Sequence, residues 1–405
     1  MTSRERVLAT LSRRRADRIP YDIGGTDCSS IHVLAYQKLR ARLGLPLGPI
    51  RCGCLTQLVA RPDDDFMEAM GADAESLWFE SKETKIWHTP FGLELIVPAR
   101  FDVEDLSDGS SLVRDSSGGV CARRAAGAYY FDPVAPALAA IDSPEQLEQF
   151  DALFERWDYS ALYDEPIESL AARAKSQYAA THRAVVGLWR LHYLQSGQIL
   201  RGFERFFMDL AVNKDLVHAI MRKLHEVYLR RIDQFLDAFG DALDIVFLTD
   251  DLGTQQGGQI STATYEEMIY PYASEIVRRI KASGKKVLMH ACGGISSYIP
   301  YLIEMGVDAI NPVQVSAKGM NPRDLVRQFG KDIAFWGGGC NTQGALNASD
   351  PEVVRRDVRQ RLDEFGPDAF LVFTQVHNIQ YDVPPENILA MRDEFLSGTR
   401  TPASR

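Results

Sequence analysis

The chain has 405 residues, of which 45% are hydrophobic and 25% are charged, and its formal net charge is -10. This composition is that of an ordinary globular protein with a sizeable core, and the acidic balance argues against nucleic acid or an anionic membrane as a partner. No apolar stretch approaches the ~20 residues that span a bilayer. Residues 1–8 lack the apolar core of a signal peptide, so we expect a cytoplasmic protein.

The second half of the chain alternates between short apolar runs and longer amphipathic stretches. Strands are predicted at 184–188, 244–249, 287–289, 309–313, 333–336 and 370–373. Helices are predicted at 214–239, 265–282, 297–305, 322–329 and 351–365, and from about residue 385 onward. This alternation indicates a parallel sheet with covering helices.

The first half supplies two more predicted strands, at 18–23 and 75–80. They bring the count to eight, which is the number that closes a (β/α)8 TIM barrel. Between 83 and 131, short β-favouring pieces are separated by glycine and serine turns, and we interpret them as an antiparallel β insertion. The expected fold is therefore α/β, a single TIM barrel domain over 1–405 with a β-rich insertion at 83–131.

Polar residues follow the predicted strands. Because the carboxyl ends of parallel strands meet at one rim, we expect these side chains to lie together. The rim candidates are Asp22, Glu80, Trp189, Asp250, Asp251, His290, Cys292, Gln314, Cys340 and His377. The residues predicted to bind substrate are Asp22, Glu80, Trp189, Gln255 and Gln314.

His290 and Cys292 are one residue apart, at the end of a strand-like run that stops at a glycine pair. Residues i and i+2 of an extended chain face the same side, so the imidazole and the thiol can converge. Such a pair suits zinc. The alternative is a buried histidine beside a cysteine that acts as a small hydrophobe, but the strand end and glycine turn favour the metal. A third ligand would come from Cys340 or from His377.

The remaining cysteines, at positions 28, 52, 54 and 121, have no disulfide framework spacing. We therefore expect free thiols or metal ligands. Asp250 and Asp251 have two interpretations: they bind helix backbone amides, or they belong to a polar substrate-binding loop with Gln255, which we favour. With His377, they are also the candidate catalytic acids and bases.

Several motifs resemble the uroporphyrinogen decarboxylase superfamily, the (β/α)8 group that also contains cobalamin-linked methyltransferases. The motifs are RIP (18–20), TDDLGTQ (249–255), HACG (290–293), NPVQ (311–314), WGGG (336–339) and HNIQYDVPPENI (377–388). In the decarboxylases of this superfamily, an Arg-Gln-Ala-Gly-Arg-Tyr motif holds the substrate carboxylates. The corresponding stretch here, YDIGGTD (21–27), lacks both arginines.

The methyltransferase branch, exemplified by methylcobamide:coenzyme M methyltransferases, binds zinc through a His-x-Cys motif and a distant cysteine. His290 and Cys292 match the first part, and His377 occupies the place of the distant cysteine. The resemblance therefore favours His377 over Cys340 as the third ligand. It also implies a corrinoid (cobalamin), which we expect on a partner protein because the chain has no recognisable cobalamin-binding domain.

The sequence thus predicts a zinc-dependent methyltransferase. It would move a methyl group between a small methylated or methoxylated compound, or a thiol, and a corrinoid protein. One alternative is a metal-free decarboxylase or lyase that uses His377 with Asp250 and Asp251 as acid and base. Another is a catalytically idle barrel that serves as a binding subunit.

Overall fold

The computed structural model of the protein describes residues 1–115, 118–134, 136–155, 165–189 and 191–398. A 3-10 helix spans Pro144–Phe150. In the described ranges, no helix is long and apolar enough to cross a membrane. The α-helices are α1 (Ser3–Leu11), α2 (Val33–Arg42), α3 (Asp64–Met70), α4 (Asp151–Glu155), α5 (Ile167–Ala180), α6 (Leu194–Arg201), α7 (Phe203–Val212), α8 (Lys214–Phe239), α9 (Thr262–Met268), α10 (Tyr270–Ala282), α11 (Ile299–Met305), α12 (Pro322–Phe329), α13 (Pro351–Phe365) and α14 (Pro385–Gly398).

Within the described residues, the strands are short and fall into four sheets. They are β1 (Ile50–Cys54), β2 (Val59–Ala60), β3 (Ala74–Leu77), β4 (Thr84–His88), β5 (Glu94–Pro98), β6 (Asp102–Asp105), β7 (Ser111–Arg114), β8 (Val120–Arg124), β9 (Asp132–Pro133), β10 (Ala184–Leu188), β11 (Ile245–Thr249), β12 (Gly253–Thr254), β13 (Gly257–Gly258), β14 (Lys286–His290), β15 (Ala309–Asn311), β16 (Ala334–Trp336) and β17 (Leu371–Val372).

The main sheet has seven strands in the order β17-β16-β15-β14-β11-β10-β3. Every neighbouring pair in it is parallel. Helices lie between consecutive strands from β10 onward, which confirms the predicted α/β class. The curled parallel sheet is consistent with a TIM-barrel-like fold.

The predicted strand at 18–23 is wrong. Only Tyr21 pairs, as an isolated parallel bridge to Phe373. Pro20 has no N–H with which to extend a ladder, and the chain turns at Gly24, whose φ is 102°. The predicted strand at 75–80 also ends early, at Leu77.

The short segment around Tyr21 nevertheless connects the two edges of the main sheet. On one side Asp22 N donates to Phe373 O at 2.9 Å, and Phe373 N donates to Pro20 O at 2.8 Å. On the other side Asp73 N, just before β3, donates to Tyr21 O at 2.7 Å. The buried Asp73 carboxylate also accepts from Tyr21 N at 2.8 Å, so this segment is bonded to both edges.

Alternation along the strands separates two apolar clusters. The outer cluster packs the sheet against the helices and includes Val246, Val287 and Phe335. The inner cluster contains Phe247 and Leu288, together with residues of α1 and the loop residue Cys28. Because strand neighbours face opposite sides, residues two positions beyond the inner cluster also face inward, at the carboxyl ends of the strands.

The prediction of an antiparallel insertion at 83–131 is correct in part. Strands β6, β7, β8 and β9 form an antiparallel sheet, and β4 and β5 form an antiparallel hairpin. However, β5 also pairs in parallel with β1, which joins β2 in a strand pair that the sequence did not indicate. The N-terminal β region therefore begins at Ile50, and one of its two sheets is mixed.

Asp73 supplies a test of the connection between the sheet edges. Its carboxylate contacts Arg6 at 2.6 Å and Arg18 at 2.7 Å, besides Tyr21 N. Asp73→Ala would leave two guanidinium groups and a buried amide without this partner, so we expect a loss of about 3–5 kcal/mol in the free energy of unfolding. Urea denaturation followed by circular dichroism measures it.

The matched control is Asp368→Ala, which removes an ion pair of similar length, 2.8 Å to Arg15, between largely exposed side chains. Exposed pairs contribute little because water screens them, so its unfolding midpoint should stay at the wild-type value. Equal midpoints for the two variants would show that Asp73 does not secure the segment.

Candidate metal centre

His290 ends strand β14 on the inner face of the sheet, two residues beyond the inner-cluster residue Leu288. Its Nδ1 lies 2.8 Å from Asn311 Oδ1 at the end of the neighbouring strand. The Asn311 amide is oriented because its Nδ2 donates to Trp336 O at 3.0 Å. The imidazole therefore donates from Nδ1, which leaves the Nε2 lone pair for a ligand or metal.

Sulfur and oxygen atoms surround His290 Nε2. Cys292 Sγ lies 3.3 Å away, Asp251 Oδ1 3.5 Å and Cys28 Sγ 3.9 Å. The predicted convergence of His290 and Cys292 thus occurs in the structure. Cys292 is held in place because its backbone N–H donates to Asp251 at 3.1 Å.

Cys28 is a residue of this group that the sequence analysis did not single out. It lies in the loop after Tyr21, where Thr26 and Ser29 exchange backbone-to-hydroxyl hydrogen bonds of 2.9 and 3.0 Å. Gln375 donates to Ser29 O at 2.8 Å, and this bond attaches the turn to the chain just beyond the carboxyl end of β17. The signal in the sequence was its position just after a predicted strand, at the carboxyl rim.

His377 follows β17 and completes the group. Its ring centroid lies 5.5 Å from that of His290. One ligand atom each of Cys28, His290 and His377 lie within 4.8 Å of one another, and so do those of Asp251, His290 and Cys292. Two thiols, two imidazoles and a carboxylate form a donor set suited to zinc rather than to magnesium or calcium, which prefer oxygen ligands.

The group is electrostatically coupled. Burial raises the pKa of Cys292, but the neighbouring His290 and His377 imidazoles outweigh it and bring that pKa below its usual value. Burial lowers the pKa of His290, yet the sulfur charges of Cys28 and Cys292 raise it well above its usual range. The side chains therefore favour thiolate beside imidazolium, and a divalent cation bound at Nε2 would replace the proton there and supply the same positive charge.

The two aspartates have different environments. Asp250 accepts three backbone N–H groups at the start of α6, from Tyr193, Leu194 and Gln195, at 3.0 to 3.1 Å. Asp250 therefore follows the interpretation in which it binds helix backbone amides. Burial raises the pKa of Asp250 to about 7. Asp251 faces the metal-binding group, and although burial raises its pKa, His290 lowers it below the usual range.

Cys340 is not brought to this group. Strand β16 ends at Trp336, and Gly337 and Gly338 then adopt φ values of 117° and 78°, which redirect the chain. The buried Cys340 thiol lies against Asp357, and burial together with that carboxylate raises its pKa well above the usual value. As in the sequence analysis, His377 rather than Cys340 lies with His290.

The predicted substrate-binding residues are dispersed. Gln314 accepts from Gly293 N beside Cys292 at 2.7 Å, whereas exposed Gln255 donates to Gln343 at 2.7 Å. Trp189 packs on Phe235 in the outer cluster, with ring centroids 4.6 Å apart.

The two acidic candidates have protein partners. Glu80 pairs with Arg61 and lies 3.8 Å from Arg173. Asp22 is fully buried, accepting from Gly25 N and Trp336 Nε1 at 2.7 Å each.

The part of the chain that carries most of this site matches a known family. The family model described as Uroporphyrinogen decarboxylase (URO-D) matches residues 176–395, more than half of the chain, and the chain therefore belongs to this family. The uroporphyrinogen decarboxylases of Vesicomyosocius okutanii and Dechloromonas aromatica are each 25% identical to it, over 182 and 214 residues. Those matches cover 44% and 51% of this chain and 48% and 56% of the relatives, so the chain spans about half the length of the curated relatives.

A solved structure of a methyltransferase from Methanosarcina mazei is similar over nearly the whole chain. The TM-score is 0.57, with 98% of this chain and 99% of that chain covered. Because only 14% of residues are identical, this similarity concerns the fold.

Two buried cysteines outside the His-x-Cys motif, Cys28 and Cys340, supply a matched test of the site. We expect Cys28→Ser to weaken zinc binding and Cys340→Ser to leave it unchanged, because only Cys28 lies beside His290 Nε2. Loss of a side chain that only hydrogen-bonds to a metal ligand already costs about 10–100-fold in metal affinity, and loss of a thiolate ligand should cost at least as much. Competition with a chromophoric chelator measures the affinities; the reverse order of the two variants would assign the ligand to Cys340.

Thiol alkylation tests the electrostatics. In chelator-treated protein, Cys292 should react with iodoacetamide at lower pH than Cys121, because the pKa of Cys292 is lowered whereas burial and Asp115 raise that of Cys121. The thiolate is the nucleophile, so the rate falls as pH drops below each thiol's pKa. Peptide mass spectrometry between about pH 6 and 9 follows both residues. Added zinc should protect Cys292 and not Cys121; equal pH profiles would contradict the proposed charge coupling.

Proposed function

We propose that this URO-D family protein is a zinc-dependent methyltransferase. It would move a methyl group between a small methylated or methoxylated compound, or a thiol, and a corrinoid carried by a partner protein. The observation that carries the proposal is the convergence of two thiols and two imidazoles at the rim where the parallel strands have their carboxyl ends.

The donor set argues for zinc chemistry. Cys28, His290, Cys292 and His377 would hold the metal, with Asp251 beside them. When bound, zinc would supply Lewis acidity that lowers the pKa of a substrate thiol or polarises an ether oxygen. In the thiol direction, a substrate thiol that has lost its proton to solvent would take the methyl group from methylcobalamin, and the electron pair of the broken cobalt–carbon bond would stay on cobalt.

The residues of the chain have separate tasks in this proposal. Asn311 holds the His290 ring with its Nε2 lone pair towards the sulfur atoms. Asp251 fixes the Cys292 backbone and places a negative charge next to His290. The fold similarity to the Methanosarcina mazei methyltransferase supports methyl transfer as the proposed reaction.

The second candidate is a decarboxylase, which the names of the curated relatives favour. It would use His377 with Asp250 or Asp251 as acid and base. Two observations count against it: Asp250 is engaged by three backbone amides, and the stretch 21–27 lacks the arginine pair that would hold substrate carboxylates. Its Asp22 is buried and bonded within the protein instead.

The test combines metal content with methyl transfer. Protein purified without a metal-chelating tag should contain about one zinc per chain, and it should convert methylcobalamin and a thiol to cob(I)alamin and the methyl thioether under anaerobic conditions. Cys292→Ala should lose both properties while keeping its circular dichroism spectrum, because a rim ligand contributes little to core packing.

Two results would contradict the proposal. One is a metal-free wild-type preparation that still turns over its methyl substrate. The other is formation of coproporphyrinogen from fresh uroporphyrinogen at an ordinary enzymatic turnover, on the order of 1 per second or faster. The second result would also establish the decarboxylase alternative.

A further inference from the structure

His377 is held by a side chain rather than by the strand ladder. It lies beyond β17, and its Nδ1 is 2.6 Å from Oδ1 of the next residue, Asn378. Asn378 is itself buried, with 2% of its surface exposed, whereas the imidazole is only partly buried. The direction in which the ring presents its other nitrogen therefore depends on this amide.

Two glutamines fix the orientation of the Asn378 amide. Its Nδ2 donates to Gln57 Oε1 at 2.9 Å, and its Oδ1 accepts from Gln380 Nε2 at 2.8 Å. A reversed amide would place N–H against N–H at Gln380 and oxygen against oxygen at Gln57. Oδ1 must face the ring, so His377 donates from Nδ1 and keeps the lone pair on Nε2.

The same arrangement holds the other imidazole of the site. His290 also donates from Nδ1 to an asparagine oxygen, and the amide of Asn311 is fixed by a backbone carbonyl. Both histidines are thus set as Nε2 ligands by neutral amides. The two asparagines differ in the groups that orient their amides. Asn311 bonds to the buried end of β16, whereas Asn378 bonds to side chains from outside the main sheet.

Gln57 belongs to the N-terminal β region, and Gln380, which follows β17, is bonded to that region through Tyr130. Gln57 lies in the turn between β1 and β2, and Tyr130, beyond β8, donates its hydroxyl to Gln380 Oε1. Next to this contact the rings of Tyr129 and Tyr381 stack, with centroids 4.0 Å apart. A chain of hydrogen bonds therefore runs from Tyr130 through Gln380 and Asn378 to His377.

We infer that Asn378 is the positioning residue for the His377 ligand, and that Gln57 and Tyr130 hold its amide in the required orientation. The inference rests on the proposed metal site. Its consequence is that the N-terminal β region, which contributes no ligand, determines how one ligand meets the metal. Loss of the Tyr130 hydroxyl, far along the chain from the His-x-Cys motif, should therefore alter the absorption spectrum of cobalt(II) bound at the site in place of zinc.

The experiment uses the full chain and cobalt(II) as a spectroscopic substitute for zinc. Asn378→Leu removes the acceptor and should weaken zinc binding by about 10–100-fold and shift the cobalt d–d absorption. Asn378→Asp keeps an oxygen towards Nδ1 and should restore most of the affinity. Tyr130→Phe should produce a smaller change of the same kind, because Gln380 loses one of its two partners.

The matched control is Tyr178→Phe. It also removes one tyrosine hydroxyl hydrogen bond, 3.0 Å to Asp244 at the start of β11, which is the opposite end of the sheet. Its zinc affinity and cobalt spectrum should equal those of the wild type. Circular dichroism melts show that each variant is folded.

The outcomes separate this inference from the proposed function. If His377→Ala weakens zinc binding while Asn378→Leu keeps wild-type affinity and spectrum, the positioning role is wrong and the metal site stands. If His377→Ala binds zinc like the wild type, the proposed ligand set itself is wrong. Should Asn378→Leu not fold, Tyr130→Phe decides, and an unchanged cobalt spectrum in it overturns the inference.

Discussion

The parallel direction of the seven main strands is the constraint on which the rest of this structure depends. It places all their carboxyl ends at one rim, and the two-residue repeat of extended chain selects which side chains face the interior there. His290, Asn311 and Trp336 end three adjacent strands on that inner face. One strand register therefore supplies both a ligand and the hydrogen bonds that orient it.

The N-terminal segment both connects the edges of the main sheet and positions a candidate metal ligand. Asp73 and the backbone around Tyr21 connect the sheet edges, and the loop that follows carries Cys28 towards His290. Asp22 fixes the start of that loop through Gly25 and Trp336, although burial raises its pKa to about 6. A buried carboxylate is costly unless such donors satisfy it, so this aspartate is better explained by loop placement than by substrate binding.

The presence of Cys28 changes the charge that the proposed zinc ion would receive from its ligands. A set of His290, Cys292 and His377 would leave zinc with one thiolate and strong Lewis acidity, which suits an ether substrate. A second thiolate adds negative charge and makes a coordinated substrate thiol more nucleophilic. The asparagines behind both imidazoles are neutral and add no further negative charge, as carboxylates in their place would. With Cys28 among the ligands, the proposed zinc site would therefore suit a thiol substrate as well as an ether.

The sequence by itself determined the local features. The apolar runs from Ala184 to Val372 predicted the strands of the main sheet within a few residues, and the i, i+2 spacing predicted that His290 and Cys292 converge. These predictions succeeded because strand periodicity and chain direction are local properties.

Only the tertiary structure decided which distant residues join His290 and Cys292. It brought in Cys28 and left out Cys340, because a turn held by hydrogen bonds to a residue more than 300 positions away, and a glycine turn after β16, determine where each thiol points. Those bonds join parts of the chain that share no periodic pattern, so nothing local in the sequence records them.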